Sequence, residues 1–371
     1  MSERLTLSGE PPLVSVCLPV SGRGQKESVF LPQRLANLAA LRYPNLEFIL
    51  SDNCSEDGSD EILETYARQN PSRFRFRRTR SYVKAEEHWQ ECLEVCRGEF
   101  ILFAAADDFH EPDFVRRGVA LLRQESEFDA YMSQIRFIDY PGNPVLRSEV
   151  DRVILPLQHL SLPAKLMYAM DGSNGFLAYA LYRRSYLRSF SLAEKMRSVS
   201  AELPYVLFVL ADGKFYVDGV PLFTYRLKAT HRPPDSPPRG PVPDKSLPGE
   251  ELAENHPVLA LEELFRVADE LRSRKGIPSW VFKFWILVGA LRSEGCSKNW
   301  YARVKSTLWR DWWNRLRRQK WTQGALLTLF IPLKCKPFRL LVAQHRDYRS
   351  IAVTLAQAEE QVSGAAASHE I

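Results

Sequence analysis

The feature that most constrains the fold is an alternation near the N-terminus. Apolar runs of strand length at 13–19 (LVSVCLP), 46–52 (LEFILSD), 74–78 (FRFRR) and 99–104 (EFILFA) are separated by stretches of helical character at 27–41, 58–69 and 84–96. Strands spaced by single helices form βαβ units, which build a mostly parallel sheet flanked by helices. The expected class is therefore α/β. Ligands in such sheets bind at the carboxyl ends of the strands. The whole chain, at 371 residues, is long enough for one large domain plus an appendage.

Two of the expected strands end on acids. The second finishes at Asp52. The fourth runs through Phe100, Ile101, Leu102 and Phe103, crosses three alanines and stops on Asp107 and Asp108. Adjacent carboxylates at a strand end have one common chemical use: they hold a divalent cation that in turn holds a diphosphate. Mg²⁺ and Mn²⁺ take one or two protein carboxylates and complete their shells with phosphate oxygens and water. The plainer reading is that Asp108 caps the next helix, whose start is marked by Pro112 and early acids.

Four stretches, in order, resemble the nucleotide-binding half of the family 2 glycosyltransferases, inverting enzymes with the GT-A fold. They are PLVSVCLPV (12–20), YPNLEFILSDNCSEDGSDEIL (43–63), HWQECLEVCRGEFILFAAADDFHEPDF (88–114) and AELPYVLFVLADGKFYVDGVPLFTYR (201–226). The resemblance covers roughly 12–231. It implies that Pro19 and Val20 line a base pocket and that Asp52 hydrogen-bonds the nucleobase, with uracil favoured. Ala106 and Asp107 join the nucleotide-sugar site. Asp107 aligns with the metal-binding acid, Asp108 with the acid that follows it, and Glu202 with the catalytic base. An inverting transfer needs one carboxylate to deprotonate the acceptor hydroxyl, while bound Mg²⁺ or Mn²⁺ stabilises the departing nucleoside diphosphate. Glu202 also reads as an ordinary acid at a helix N-terminus. His231 is the histidine nearest the Tyr225–Arg226 pair; it is a candidate for metal or phosphate, or a solvated loop residue.

The chain departs from the family pattern at Ala105, where the first acid of an Asp-x-Asp would stand, and at His88-Trp89-Gln90, where an Asn-Trp-Asn-like stretch is usual. SNGFLAYALYRRSYL (173–187) resembles an acceptor-side strand and reads equally as a core strand. Asp57 and Gly58 read as turn-formers, and Arg78, Arg80 and Lys84 as solvated residues with a lesser claim on the diphosphate.

Beyond residue 230 the character changes. Residues 231–250 include seven prolines, the composition of a linker. Residues 251–357 look helical, and 358–371 a frayed tail. Seven of the eight tryptophans lie at or beyond Trp280, and residues 301–350 carry twelve Lys/Arg against two Asp. On a helix over 299–321, Tyr301, Val304, Leu308, Trp312 and Leu316 share a face. Trp and Tyr beside Lys and Arg is the composition of a helix lying on an anionic bilayer. The alternative is that these aromatics pack on protein. The apolar runs at 280–291 and 324–333 are shorter than the roughly 20 residues a spanning helix needs. No nucleic-acid motif accompanies the basic segment.

The expected protein is a metal-dependent glycosyltransferase. Its donor is a nucleotide-diphosphate sugar, and its acceptor is a hydroxyl on a glycan or lipid-linked glycan, as in cell-surface polysaccharide synthesis. The unpaired cysteines and the polar N-terminus place it in the cytoplasm, peripheral on the inner face of the membrane. Two alternatives stand beside it: a sugar-phosphate nucleotidyltransferase, for which VSGRGQK (20–26) is a faint motif, and a degenerate nucleotide-sugar-binding or scaffold protein without transferase activity.

Overall fold

The computed structural model describes residues 10–23, 27–145, 154–170, 175–196, 203–227 and 257–292. The expected alternation is present. Strands β1 (Val14–Val20), β2 (Leu46–Asp52), β3 (Phe74–Arg78) and β4 (Phe100–Phe103) are separated by helices α1 (Leu31–Ala39), α2 (Ser59–Gln69) and α3 (Ala85–Val95). β1 pairs in parallel with β2 and β4, and β2 pairs in parallel with β3. β2 and β4 are buried along their whole length, as expected of strands covered on both faces.

Past β4 the sheet becomes mixed. The remaining strands are β5 (Phe109–His110), β6 (Ala130–Ile138), β7 (Pro144–Val145), β8 (Leu181–Arg183) and β9 (Phe215–Arg226), with α4 (Phe114–Gln124) between β5 and β6. The nine described strands run β3-β2-β1-β4-β8-β6-β9-β5, with β7 on β6. β8 is antiparallel to both β4 and β6, β5 is antiparallel to β9, and only β6–β9 is parallel. β5 follows β4 after a link too short for a crossover, so it cannot return as β4's parallel neighbour. The stretch 173–187 supplies β8 as a core strand, preceded by a 3₁₀ turn at Gly175–Tyr179.

α1 shows why these helices form. Leu31, Arg34, Leu35 and Leu38 recur at helical spacing and are buried, and Pro32 opens the first turn. Gly58 caps α2 at φ 85°, a conformation that costs glycine nothing. A Cβ on Gly22 would lie 1.9 Å from Asp57 Oδ1. That close approach lets Asp57 accept from the backbone N–H of Ser28 (2.9 Å) and Ser59 (3.1 Å). Asp57 and Gly58 are turn-formers, as expected. Cys92 and Cys96 are buried core thiols.

The described chain divides into two units. The first, 1–158, 175–197 and 213–246, holds the sheet. The second takes in 159–174, 198–212 and 247–371, so two segments from within the first 230 residues belong to the helical unit. Its helices are α5 (Leu162–Met170), α6 (Leu203–Asp212), α7 (Pro257–Lys275) and α8 (Ser279–Arg292). α6 is buried on every side from Pro204 to Asp212. Asp212 is neutralised by Arg274 at 2.8 Å, and Lys283 by Asp269 at 2.6 Å. Phe282 and Ile286 are fully buried, so this part of the 280–291 run packs on protein. Among the described residues no helix is long and apolar enough to cross a membrane. The basic segment 299–321, the linker 231–250 and the tail lie outside the described residues.

Candidate active site

The carboxyl ends of β1, β2 and β4 gather the expected residues. Val20 is buried and lies in register with Asp52, while Pro19 is half-buried opposite Ser51. Asp52 is fully buried. Both its carboxylate oxygens accept from the Ser55 N–H at 3.2 Å, and Oδ2 is 3.1 Å from Arg78 Nε. Arg78, whose side chain is 43% exposed, also pairs with Asp60. Arg78 is exposed, as the solvated reading expects, and its ion pair also ties it to Asp52. Asn53 shapes the rim. Its side chain accepts from Val83 N–H at 3.0 Å and donates to the Val83 carbonyl at 2.8 Å, fixing the loop after β3.

Past β4 the residues alternate. Ala104, Ala106 and Asp108 are buried, whereas Ala105 and Asp107 are half-exposed. The two acids therefore serve different ends. Among the described residues the Asp107 carboxylate accepts no hydrogen bond, which leaves its oxygens for a ligand. Asp108, expected beside it on a metal, is 2% exposed and accepts from the Arg226 backbone N–H at 2.8 Å. It does not cap the next helix, where Asp113 holds the N-cap position.

Arg226, the last residue of β9, locks this corner. Nε donates to the Asp107 carbonyl at 3.1 Å, and Nη1 donates to the carbonyls of Asp139 (3.2 Å) and Tyr140 (2.7 Å). Its guanidinium carbon lies 5.0 Å from the Phe30 ring centroid and 5.5 Å from that of Phe109. On the other side Trp89 stacks on Phe103 with centroids 4.6 Å apart, and His88 Nε2 lies 2.7 Å from Ser51 Oγ.

Residues 15–189 match the glycosyl transferase family 2 model. Over those residues the chain is similar to that family. Its fold is that of S. aureus TarS residues 1–349, with a TM-score of 0.55 at 17% identity over 94% of this chain and 91% of that one. The same TarS fragment in complex with UDP-GlcNAc matches with a TM-score of 0.52 at 16% identity, over 94% of this chain and 92% of that one. The chain spans 44% of the longer TarS chain. An uncharacterized protein of Sinorhizobium fredii is 30% identical over 115 residues, which are 30% of this chain and 12% of that protein.

The half-exposed Asp107 carboxylate suits a hard divalent cation. No group of three or more His, Cys, Asp or Glu converges among the described residues. A cation here would rest on one protein carboxylate and draw its other ligands from phosphate and water, a habit of Mg²⁺ and Mn²⁺. Glu202 and His231 lie outside the described residues. Arg34, which burial places behind the acid pair, is the residue that motif reading passes over. Arg34 did leave a signal, because a charge stands in the apolar stripe Leu31, Leu35, Leu38.

Proposed function

We propose that this protein is an inverting, metal-dependent glycosyltransferase that moves a sugar from a nucleotide-diphosphate donor, with UDP favoured, to a hydroxyl of a glycan or lipid-linked acceptor. The observation that carries the reading is Asp107. It is an acid, half-exposed and without a hydrogen bond to its carboxylate among the described residues, past the end of β4 and held by Arg226, in the stretch that is similar to family 2. The fold neighbour's complex with UDP-GlcNAc supports the choice of donor class. In this reading Asp107 holds the cation and Asp108 supports the strand. Pro19, Val20 and Ala106 line the nucleotide site, and Asp52 with Arg78 forms its base-side floor. Mg²⁺ or Mn²⁺ would offset charge on the leaving diphosphate. Glu202 is the proposed base that takes the acceptor proton. The basic, Trp-rich segment 299–321 is the proposed contact with the cytoplasmic face of an anionic membrane.

Thermal shift with UDP, GDP, dTDP and CMP, each with and without Mn²⁺, tests the reading, because a ligand that binds only the folded state raises apparent stability. One nucleotide is expected to shift the melting temperature in a metal-dependent way, and Asp107→Ala to lose that shift. An unchanged shift in Asp107→Ala would remove the metal assignment. A second reading, nucleotide-sugar binding without transfer, is favoured by Ala105. Metal-dependent binding with no turnover of any donor would select it.

A further inference from the structure

Arg34 is fully buried, yet among the described residues it forms no ion pair with a carboxylate. Nη1 donates to Asn37 Oδ1 at 2.7 Å and Nη2 to His110 Nδ1 at 3.1 Å, while Nε has no partner among the described residues. A guanidinium always donates, so His110 Nδ1 is the acceptor and Nε2–H faces the Tyr179 carbonyl at 3.4 Å. Asn37 completes the clamp: its Nδ2 donates to the His110 carbonyl at 2.9 Å and its Oδ1 accepts from the His110 N–H at 3.2 Å. Arg34 is thus held against β5, two residues past the acid pair. Burial pulls its guanidinium down to about 10, the charges of Asp108 and Asp107 oppose that fall, and it stays cationic at neutral pH.

A charge buried at such expense calls for a reason. Asp107 and Asp108 bring two negative charges to this strand end, and Asp139, which feels the charge of Arg226, adds a third at its exposed edge. Arg34 and Arg226 bring two positive ones and so weaken the pull of the acid pair on a lone dication. A diphosphate would supply the missing negative charge. We infer that Arg34 is a positioning residue whose fixed buried charge keeps Asp107 from holding a divalent cation by itself, so that cation and nucleoside diphosphate bind as a mutually dependent pair. This deepens the proposed function and rests on its assignment of Asp107. It makes binding reciprocal: each ligand raises the affinity for the other by the same factor.

The test is Mn²⁺ binding to the full chain, followed by electron paramagnetic resonance of the free ion, with and without UDP and corrected for Mn²⁺ held by UDP itself. In the wild type UDP is expected to raise Mn²⁺ affinity by about tenfold or more. Arg34→Met and Arg34→Gln, which remove the charge, are expected to bind Mn²⁺ alone several-fold more tightly, with a smaller gain from UDP. Arg34→Lys, which keeps the charge, should behave like wild type. A merely structural arginine would not tighten binding when removed. Unchanged or weaker Mn²⁺ binding in a folded neutral variant would overturn the inference. Wild-type Mn²⁺ binding as tight without UDP as with it would do so too, and that comparison needs no variant to fold. In both cases Mn²⁺ still binds and the proposed function stands. Absence of Mn²⁺ binding under every condition would instead strike the metal assignment, and this inference with it.

Discussion

At the scale of residues, the acid pair shows how one step of strand alternation separates two chemically identical side chains. Asp107 faces outward with its oxygens available, and Asp108 faces inward onto the Arg226 N–H. Removing a buried acceptor strands its donor, so Asp108→Ala is expected to lose about 1–3 kcal/mol. Asp108→Asn keeps an acceptor of the same shape and should recover most of that loss. Urea unfolding of the two variants decides the matter: equal losses would mean that the bond to Arg226 carries no weight. The pair itself, and Asp52, were legible from sequence because they end apolar runs. Which member of the pair is buried was not, since β5 and β9 set that register. The ion pair of Arg78 with Asp52 is hidden from sequence for a similar reason. Its alternating strand FRFRR puts arginines on both faces, and only the parallel pairing with β2 brings Arg78 opposite Asp52.

At the scale of elements, the far end of the sheet is stapled by Glu47 on β2. Its carboxylate accepts from Ser15 Oγ on β1 and pairs with Arg75 of β3 at 2.7 Å. Arg97, just before β4, donates to it through its backbone N–H at 2.8 Å and its Nε at 2.9 Å. Burial pushes this carboxyl up, but the hydrogen bonds from Ser15 and Arg97 and the charge of Arg75 outweigh burial and hold it below the usual glutamate value. A group depressed in the folded state contributes stability that is present above its unfolded pKa, near 4.5, and lost as pH falls through the lower folded value. Glu47→Gln is expected to be less stable at pH 7 and to show a flatter loss of stability below about pH 4.5. Denaturant unfolding across pH 2–7 tests this, and parallel curves for variant and wild type would rule it out. The elements β1 to β4 and α1 to α3 were readable because their apolar periods of about 2 and 3.6 are local. Partner choice beyond β4 was not, because the direction of β8 and β9 depends on connections that carry no periodic signal.

At the scale of the whole molecule, the C-terminal composition leads to one expectation. Full-length protein should float with vesicles containing anionic lipid and dissociate as salt is raised, since exposed charge is screened within about 8 Å at physiological ionic strength. Equal binding to neutral vesicles, or none to either, would remove the membrane from the proposed function. Packing already qualifies the simplest form of that expectation: in the helical unit Phe282, Lys283 and Ile286 are turned into protein, and Lys283 is paired with Asp269. Sequence by itself settled the α/β class, the strand-end acids, the turn at Asp57–Gly58 and the likeness to family 2, all of which depend on neighbours within one or two elements. Tertiary structure alone decided that Asp108 is internal, that Arg78 meets Asp52, Arg226 the Asp107 carbonyl and Arg34 His110, and that two segments from the first 230 residues join the helical unit. Those facts depend on contacts between residues 26 to 119 positions apart, such as Arg78 with Asp52 and Arg226 with Asp107. A local pattern records which face of its own element a side chain takes, but not which charge or carbonyl the fold will bring to meet it.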